Sequence, residues 1–336
     1  MNSVIDQLMD HDWGDDFQFS YLATHVTGNQ IKKAFFYANA YRRLKKLIKQ
    51  DAFDIIHIHM SYKGSFYRKY YVTKLCKKYN KKVIVHLHGS EFKDFYNGGN
   101  EKRKMQIQEL FSISDASIVL GEDWKKFILN IAPRANAIVI NNAVSLPPFK
   151  DKEANKVRTF LFLGALIQRK GLIDLLEAIK QMKSQGVSCF HLLIAGSGTD
   201  EQRLKEYMQT NGLQECVEFM GWITKEQKPK LLKKSDVLVL PSYNEGLPIA
   251  ILEAMSYGLP IISTDVGSIA EAVKENGFLI KPGDVNSLAH AMIQLTNDSD
   301  LWKKESKASR KICEEKFSEN VFFETVEKLY RRLYKY

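Results

Sequence analysis

The chain has 336 residues, 45% hydrophobic and 26% charged, a balance that excludes a disordered or low-complexity protein and predicts about two globular domains. No apolar run reaches the roughly 18 residues needed to span a bilayer, and the first residues do not read as a signal peptide. The net charge of +10 lies almost wholly in residues 1–150, which carry 23 Lys and Arg against 14 Asp and Glu. No motif of the common nucleic-acid-binding modules accompanies that excess, so no nucleic-acid partner is expected. The four cysteines (Cys76, Cys189, Cys216 and Cys313) lack metal or redox spacing and are expected to be reduced thiols of a cytoplasmic protein.

Residues 2–11, NSVIDQLMDH, predict an opening helix capped by Asn2 or Ser3. A doubly wound domain normally opens on a strand and a Gly-rich turn, so the opening strand of the first domain is expected to be missing. Residues 17–23 place Phe17, Phe19, Tyr21 and Ala23 on one face and predict a strand. Residues 32–50 and 63–82 mix basic and aromatic side chains at roughly helical spacing, and the second stretch has no acidic residue. That is the composition of a helix resting on an anionic membrane surface, and equally of a solvated face whose aromatics are core. Strands are predicted at 54–59, 82–87, 116–120 and 137–140, with helical stretches between them. Residues 145–156 are polar, hold two prolines and have no periodicity, which marks a linker. A second series of strands is predicted at 159–163, 190–195, 217–219, 237–240 and 260–263, and residues 317–336 form a final amphipathic helix. This alternation argues for an α/β protein with two Rossmann-like, doubly wound parallel sheets, residues 1–150 and 151–316, followed by the C-terminal helix.

The chemistry concentrates in residues 237–253, VLVLPSYNEGLPIAILE. An apolar run of four predicts a strand covered on both faces. Pro241 and Ser242 end it, residues 243–247 make a loop, and Pro248 stands where a helix begins. Glu245 in the loop and Glu253 in the helix can then flank one helix N-terminus, whose free N–H groups favour an anion such as phosphate. Two carboxylates beside an anion site suit acceptance of hydrogen bonds from sugar hydroxyls better than contact with the anion itself.

With its continuation to Glu271, this stretch resembles the E-x7-E signature of the retaining, nucleotide-sugar-dependent glycosyltransferases of family 4, which have the two-domain GT-B fold. The resemblance implies a nucleoside diphosphate sugar as donor, with Glu253 on the ribose hydroxyls, Glu245 on the donor sugar, and Gly246 and Leu247 beside it. FLGALIQRKG, residues 162–171, resembles the family's phosphate-binding stretch, which assigns Gly164, Arg169 and Lys170 to donor binding and Lys170 to the diphosphate. Ala165 stands where many members have arginine. Gly196 and Gly198 lie at a strand-to-helix turn near the nucleotide, and Ile223 in FMGWI is implied to face the base. HLHGSEF, residues 86–92, resembles the family's histidine-bearing loop, and His88 matches the residue near the transferred sugar and its phosphate. For His57 and His59, burial in the strand is the preferred reading.

Asp10-His11-Asp12 and Asp298-Ser299-Asp300 match a D-x-D metal pattern, but neither follows a strand, so both read as solvated turns and no essential metal or cofactor is expected. With no obvious enzymic nucleophile, a same-face displacement assisted by the leaving phosphate is expected, with His88, Glu245 and Lys170 as the catalytic set. The basic first domain implies an acceptor on an anionic membrane, a lipid-linked glycan, and a peripheral location on the inner face of the plasma membrane. A nucleotide-sugar epimerase of the same fold and an inactive sugar-nucleotide-binding subunit are the alternatives.

Overall fold

A computed structural model describes residues 2–89, 91–149, 153 and 158–335. The chain forms two compact units, Met1–Asn141 with Phe322–Tyr336, and Asn142–Val321. The first boundary thus falls nine residues before the expected one at residue 150. Most of the expected linker beyond Phe149 lies outside the described residues, as do the side chains of the expected caps Asn2 and Ser3.

The first unit runs α1 (Asn2–Asp10), α2 (Gln30–Lys49), β1 (Ile55–Met60), α3 (Gly64–Lys78), β2 (Lys82–Leu87), α4 (Phe92–Asn97), α5 (Glu101–Ile113), β3 (Ala116–Val119), α6 (Glu122–Ile131) and β4 (Ala137–Val139). Its sheet is parallel, in the order β1-β2-β3-β4. Asn29 and Asn100 start α2 and α5 by accepting the free N–H groups of Lys32 and Arg103. Ala40, Leu44 and Ile48 recur at helical spacing and bury one stripe of α2, leaving Arg42, Arg43, Lys45 and Lys46 in solvent.

Residues 17–23 form no strand, contrary to the alternation in their sequence. Their aromatics pack on other rings instead: Phe19 stacks on Trp13 at 4.9 Å, and Phe17 and Phe19 lie 6.0 and 5.8 Å from Tyr330. An aromatic at every second position satisfies a ring cluster as well as a sheet face, so the period alone does not decide between them.

The second unit runs β5 (Arg158–Leu163), α7 (Leu172–Ser184), β6 (Phe190–Ala195), α8 (Glu201–Thr210), β7 (Val217–Gly221), α9 (Gln227–Lys234), β8 (Val237–Leu240), α10 (Ile249–Ser256), β9 (Ile261–Thr264), α11 (Ile269–Ala272), β10 (Gly277–Ile280), α12 (Val285–Asn297) and α13 (Ser299–Lys316). The last helix, α14 (Glu319–Tyr334), starts in this unit and contributes its residues from Phe322 onward to the first. The six strands are parallel, in the order β10-β9-β8-β5-β6-β7. β8 is buried at every position, as its unbroken apolar run predicts, and each such side chain contributes about 1.5–3 kcal/mol. Asp236, just before β8, accepts from the Thr159 N–H at 2.8 Å and, through its carbonyl, from the Trp302 indole at 2.9 Å. β10 is an edge strand that starts on Gly277 and is followed by Lys281 and Pro282.

Candidate active site

The strand order of the second unit reverses between β5 and β8: β6 and β7 follow on one side, β9 and β10 on the other. The loops leaving the carboxyl ends of two strands at such a point diverge and leave a crevice. Here they are residues 164–171 after β5 and 241–248 after β8. They are joined by backbone first: Tyr243 N–H donates to the Arg169 carbonyl at 2.8 Å. The Arg169 guanidinium donates to the Asn244 carbonyl at 2.8 Å and stands 3.8 Å from Glu245 Oε2. Lys170 Nζ forms an ion pair with Glu245 Oε1, and the two side chains are only 12% and 9% exposed. Residues 75 positions apart therefore make one cluster of two cations and a carboxylate.

Two tight backbone contacts hold this cradle. Gly267 has a φ of +61°, and a Cβ there would lie 2.1 Å from the Glu245 carbonyl oxygen. Its neighbour Ser268 donates its N–H to the Gly246 carbonyl at 2.9 Å. The turn at residues 265–268 thus carries the Glu245 loop. Across the other loops, Gly196 approaches the Gly164 carbonyl so closely that a Cβ would meet it at 1.8 Å, and Gly198 meets the Leu166 carbonyl in the same way. Gly196 and Gly198 are therefore close-approach positions after β6, whereas a Cβ at Gly164 would meet only the Phe162 ring, at 3.6 Å. Leu247 is buried, its carbonyl accepting from Asn142 Nδ2 at 3.4 Å, while Gly246 has open space on its Cβ side.

Glu253 lies on α10 beyond Pro248, which is the cap of that helix rather than its first residue. Its carboxylate pairs with Lys228 of α9 at 2.6 Å, a partner the sequence reading missed. Glu253 and Lys228 keep 22% and 30% exposure, so Glu253 is open on one side. Ile223 is half-buried against the core of this unit, beside the exposed Trp222.

His88 belongs to the first unit, directly after β2. Its N–H donates to the Met60 carbonyl at 2.8 Å, and its Nε2 lies 2.9 Å from His59 Nδ1. The ring stacks on His86 at 4.0 Å. Burial, and then the neighbouring His59, hold the His88 imidazole well below its usual value, so it is a neutral group near pH 7. Of the D-x-D candidates, Asp298 caps α13 by accepting from the Asp300 and Leu301 N–H groups, and Asp12 accepts from Gly14 N–H at 3.0 Å.

The description "Glycosyl transferases group 1" matches residues 147–312, and "Glycosyltransferase Family 4" matches residues 11–146. The chain belongs to the family 4 glycosyltransferases. It is 30% identical to an Escherichia coli UDP-Gal:alpha-D-GlcNAc-diphosphoundecaprenol alpha-1,3-galactosyltransferase, over 77% of this chain and 70% of that one. It is 27% identical to the amylovoran biosynthesis glycosyltransferase AmsK of Erwinia amylovora, over 85% of this chain and 72% of the relative. Among solved structures, a sucrose-phosphate synthase from Thermosynechococcus elongatus superposes with a TM-score of 0.76 at 20% identity, over 93% and 81% of the two chains. The two parallel-sheet units of this glycosyltransferase are those of the GT-B class.

Proposed function

We propose that this glycosyltransferase takes a sugar, with retention, from a nucleoside diphosphate sugar and adds it to a lipid-linked glycan. The observation that carries the reading is the Lys170–Glu245–Arg169 cluster at the β5/β8 switch point. A lysine ammonium has three donors, so Lys170 can hold Glu245 and still meet a diphosphate. In that protected setting a cation aimed at the leaving phosphate acts most strongly as charge develops there. Glu245 then accepts from hydroxyls of the donor sugar, and Glu253, held by Lys228, from the ribose. Gly246 and Leu247 present the backbone between them, Gly164, Gly196 and Gly198 line the nucleotide side, and Ile223 faces the base. Arg169 supplies a second cation where the family stretch has lost one at Ala165. Neutral His88 donates to a phosphate or sugar oxygen. No enzymic nucleophile is invoked, so the acceptor attacks on the face the leaving phosphate vacates, with the phosphate oxygen taking its proton.

Screening nucleoside diphosphate sugars by thermal shift, then analysing products formed on membrane lipid extract, tests this. A new glycoside on lipid with the anomeric configuration of the donor is expected. Donor consumption without a glycoside identifies an epimerase, and donor binding without turnover identifies an inactive subunit. Turnover is expected to survive EDTA; its loss, restored by manganese or magnesium, overturns the metal-independent route.

The acceptor reading rests on the first unit. The relative from E. coli is named for a diphosphoundecaprenol acceptor, and no helix among the described residues is long and apolar enough to cross a membrane. On α2 and α3, Phe35, Tyr67 and Tyr71 are exposed at 72%, 37% and 50% among the basic side chains, whereas Tyr70 is buried and Phe36 and Tyr37 are half-buried. Each lysine or arginine near an anionic surface adds on the order of 1 kcal/mol, so a few suffice for reversible docking on the inner face of the plasma membrane. The purified protein should cosediment with anionic vesicles, come off in high salt as screening shortens, and ignore neutral ones. Replacing Arg42, Arg43, Lys45 and Lys46 by glutamine should weaken that docking and leave donor affinity intact. Equal partition to anionic and neutral vesicles at low salt would make a soluble acceptor the better assignment.

A further inference from the structure

We propose that His57, His59 and His86 form a binding site for a divalent transition-metal ion of the zinc class. The strands build it directly. In β1, IIHIHM, alternation puts His57 and His59 on one face, and the parallel register sets His59 opposite His86 of β2. One ring nitrogen from each of the three lies within 4.8 Å of the other two. Two ligand nitrogens on a tetrahedral zinc, each at 2.0–2.1 Å, are separated by about 3.3 Å. His57 Nε2 and His86 Nδ1 are already 3.2 Å apart. Bringing the third ring from at most 4.8 Å to that spacing takes a shift of up to about 1.5 Å.

The surroundings complete the case. The Tyr330 hydroxyl lies 2.6 Å from His57 Nδ1 and can accept its N–H, which leaves the Nε2 lone pair for a metal. His88 Nε2 stands in the same relation to His59 Nδ1, freeing His59 Nε2. Outer partners of this kind orient ligating imidazoles in metal sites. His86 is fully buried, and the nitrogen it would give the ion is Nδ1, the one that faces His57 Nε2. Three imidazoles and no carboxylate favour zinc, cobalt, nickel or copper over magnesium or calcium. Such an ion would clamp the edge strand β1 to β2, and through Tyr330 to α14.

The test uses the full chain, stripped of metal and titrated with zinc sulfate by calorimetry, with cobalt as a spectroscopic probe. One zinc per chain is expected, with a rise in Tm, and with cobalt a tetrahedral ligand-field spectrum free of thiolate charge transfer. Tyr330→Phe should weaken zinc about tenfold or more. His57→Gln with His59→Gln should abolish uptake, and Cys189→Ser should leave it unchanged. No uptake by the wild-type chain, a thiolate band, or unchanged affinity in the double variant overturns the site and leaves a hydrogen-bonded histidine stack. Should the double variant fail to fold, the wild-type cobalt spectrum and Tyr330→Phe decide. Donor binding in the second unit is unaffected by either result, so the reading of function stands or falls separately.

Discussion

Lys170 and Glu245 are nearly buried at the switch point of the larger unit, and each is the other's counter-charge. On the sheet of the smaller unit, His57, His59, His86 and His88 are packed together with no carboxylate paired to them among the described residues, and burial depresses all four imidazoles, His57 to about 3. The first region keeps opposite charges paired between the loops that leave β5 and β8. The second removes charge and keeps lone pairs and N–H groups. Desolvation penalises ions in both; what differs is whether the opposite end of a crossover supplies a partner.

The sharpest way to break this contrast is to orphan one partner of the pair. Lys170→Met should cost about 3 kcal/mol of stability, at the low end for a buried pair because Arg169 stays near Glu245. Donor turnover should fall about 10²–10³-fold with it. Adding Glu245→Gln should recover part of the stability and none of the activity. Strictly additive losses in denaturant titration would show that the two side chains do not act as a pair.

Glu253 should behave differently because its side chain keeps 22% exposure and its partner Lys228 sits on another helix. Glu253→Gln should weaken donor binding by about 1.5–3 kcal/mol through lost charge-assisted hydrogen bonds, with little change in folding stability. Calorimetry showing unchanged donor affinity would remove Glu253 from the site.

Glu305 tests the rule within the larger unit but away from the cradle. It is 7% exposed, its Oε2 has no hydrogen-bond partner among the described residues, and burial pushes its carboxyl up to about 7. Its folded value lies above the unfolded one near 4.5, so the folded state binds the proton more tightly. The associated stability is present below about pH 4.5 and is lost as pH rises to about 7. Glu305→Gln should therefore stabilise the protein at pH 8 by about 1–3 kcal/mol and flatten that part of the pH profile. A variant no more stable than the parent at pH 8 would mean that the carboxylate has a partner after all.

Much of the second unit was legible because its strands are short unbroken apolar runs, as buried parallel strands must be, and its loops carry turn residues at fixed offsets. The segment from β8 to α10 was readable for that reason, down to the placing of Glu245 in the loop and Glu253 on the helix. The runs of helix and strand that establish a doubly wound α/β protein are local properties, governed by hydrophobic period and capping. Pairing is not local. That Lys170 meets Glu245 across 75 residues, that Lys228 holds Glu253, and that Gly267 supports the Glu245 carbonyl follow from strand order, which no window of sequence contains. The histidines show the same limit. His57 and His59 read as buried strand residues and nothing more, and only the parallel register of β1 on β2 set His59 against His86. Alternation decided which face each imidazole occupies; the tertiary structure decided which neighbours share that face, because hydrogen bonds between strands, not propensity along one, set the register.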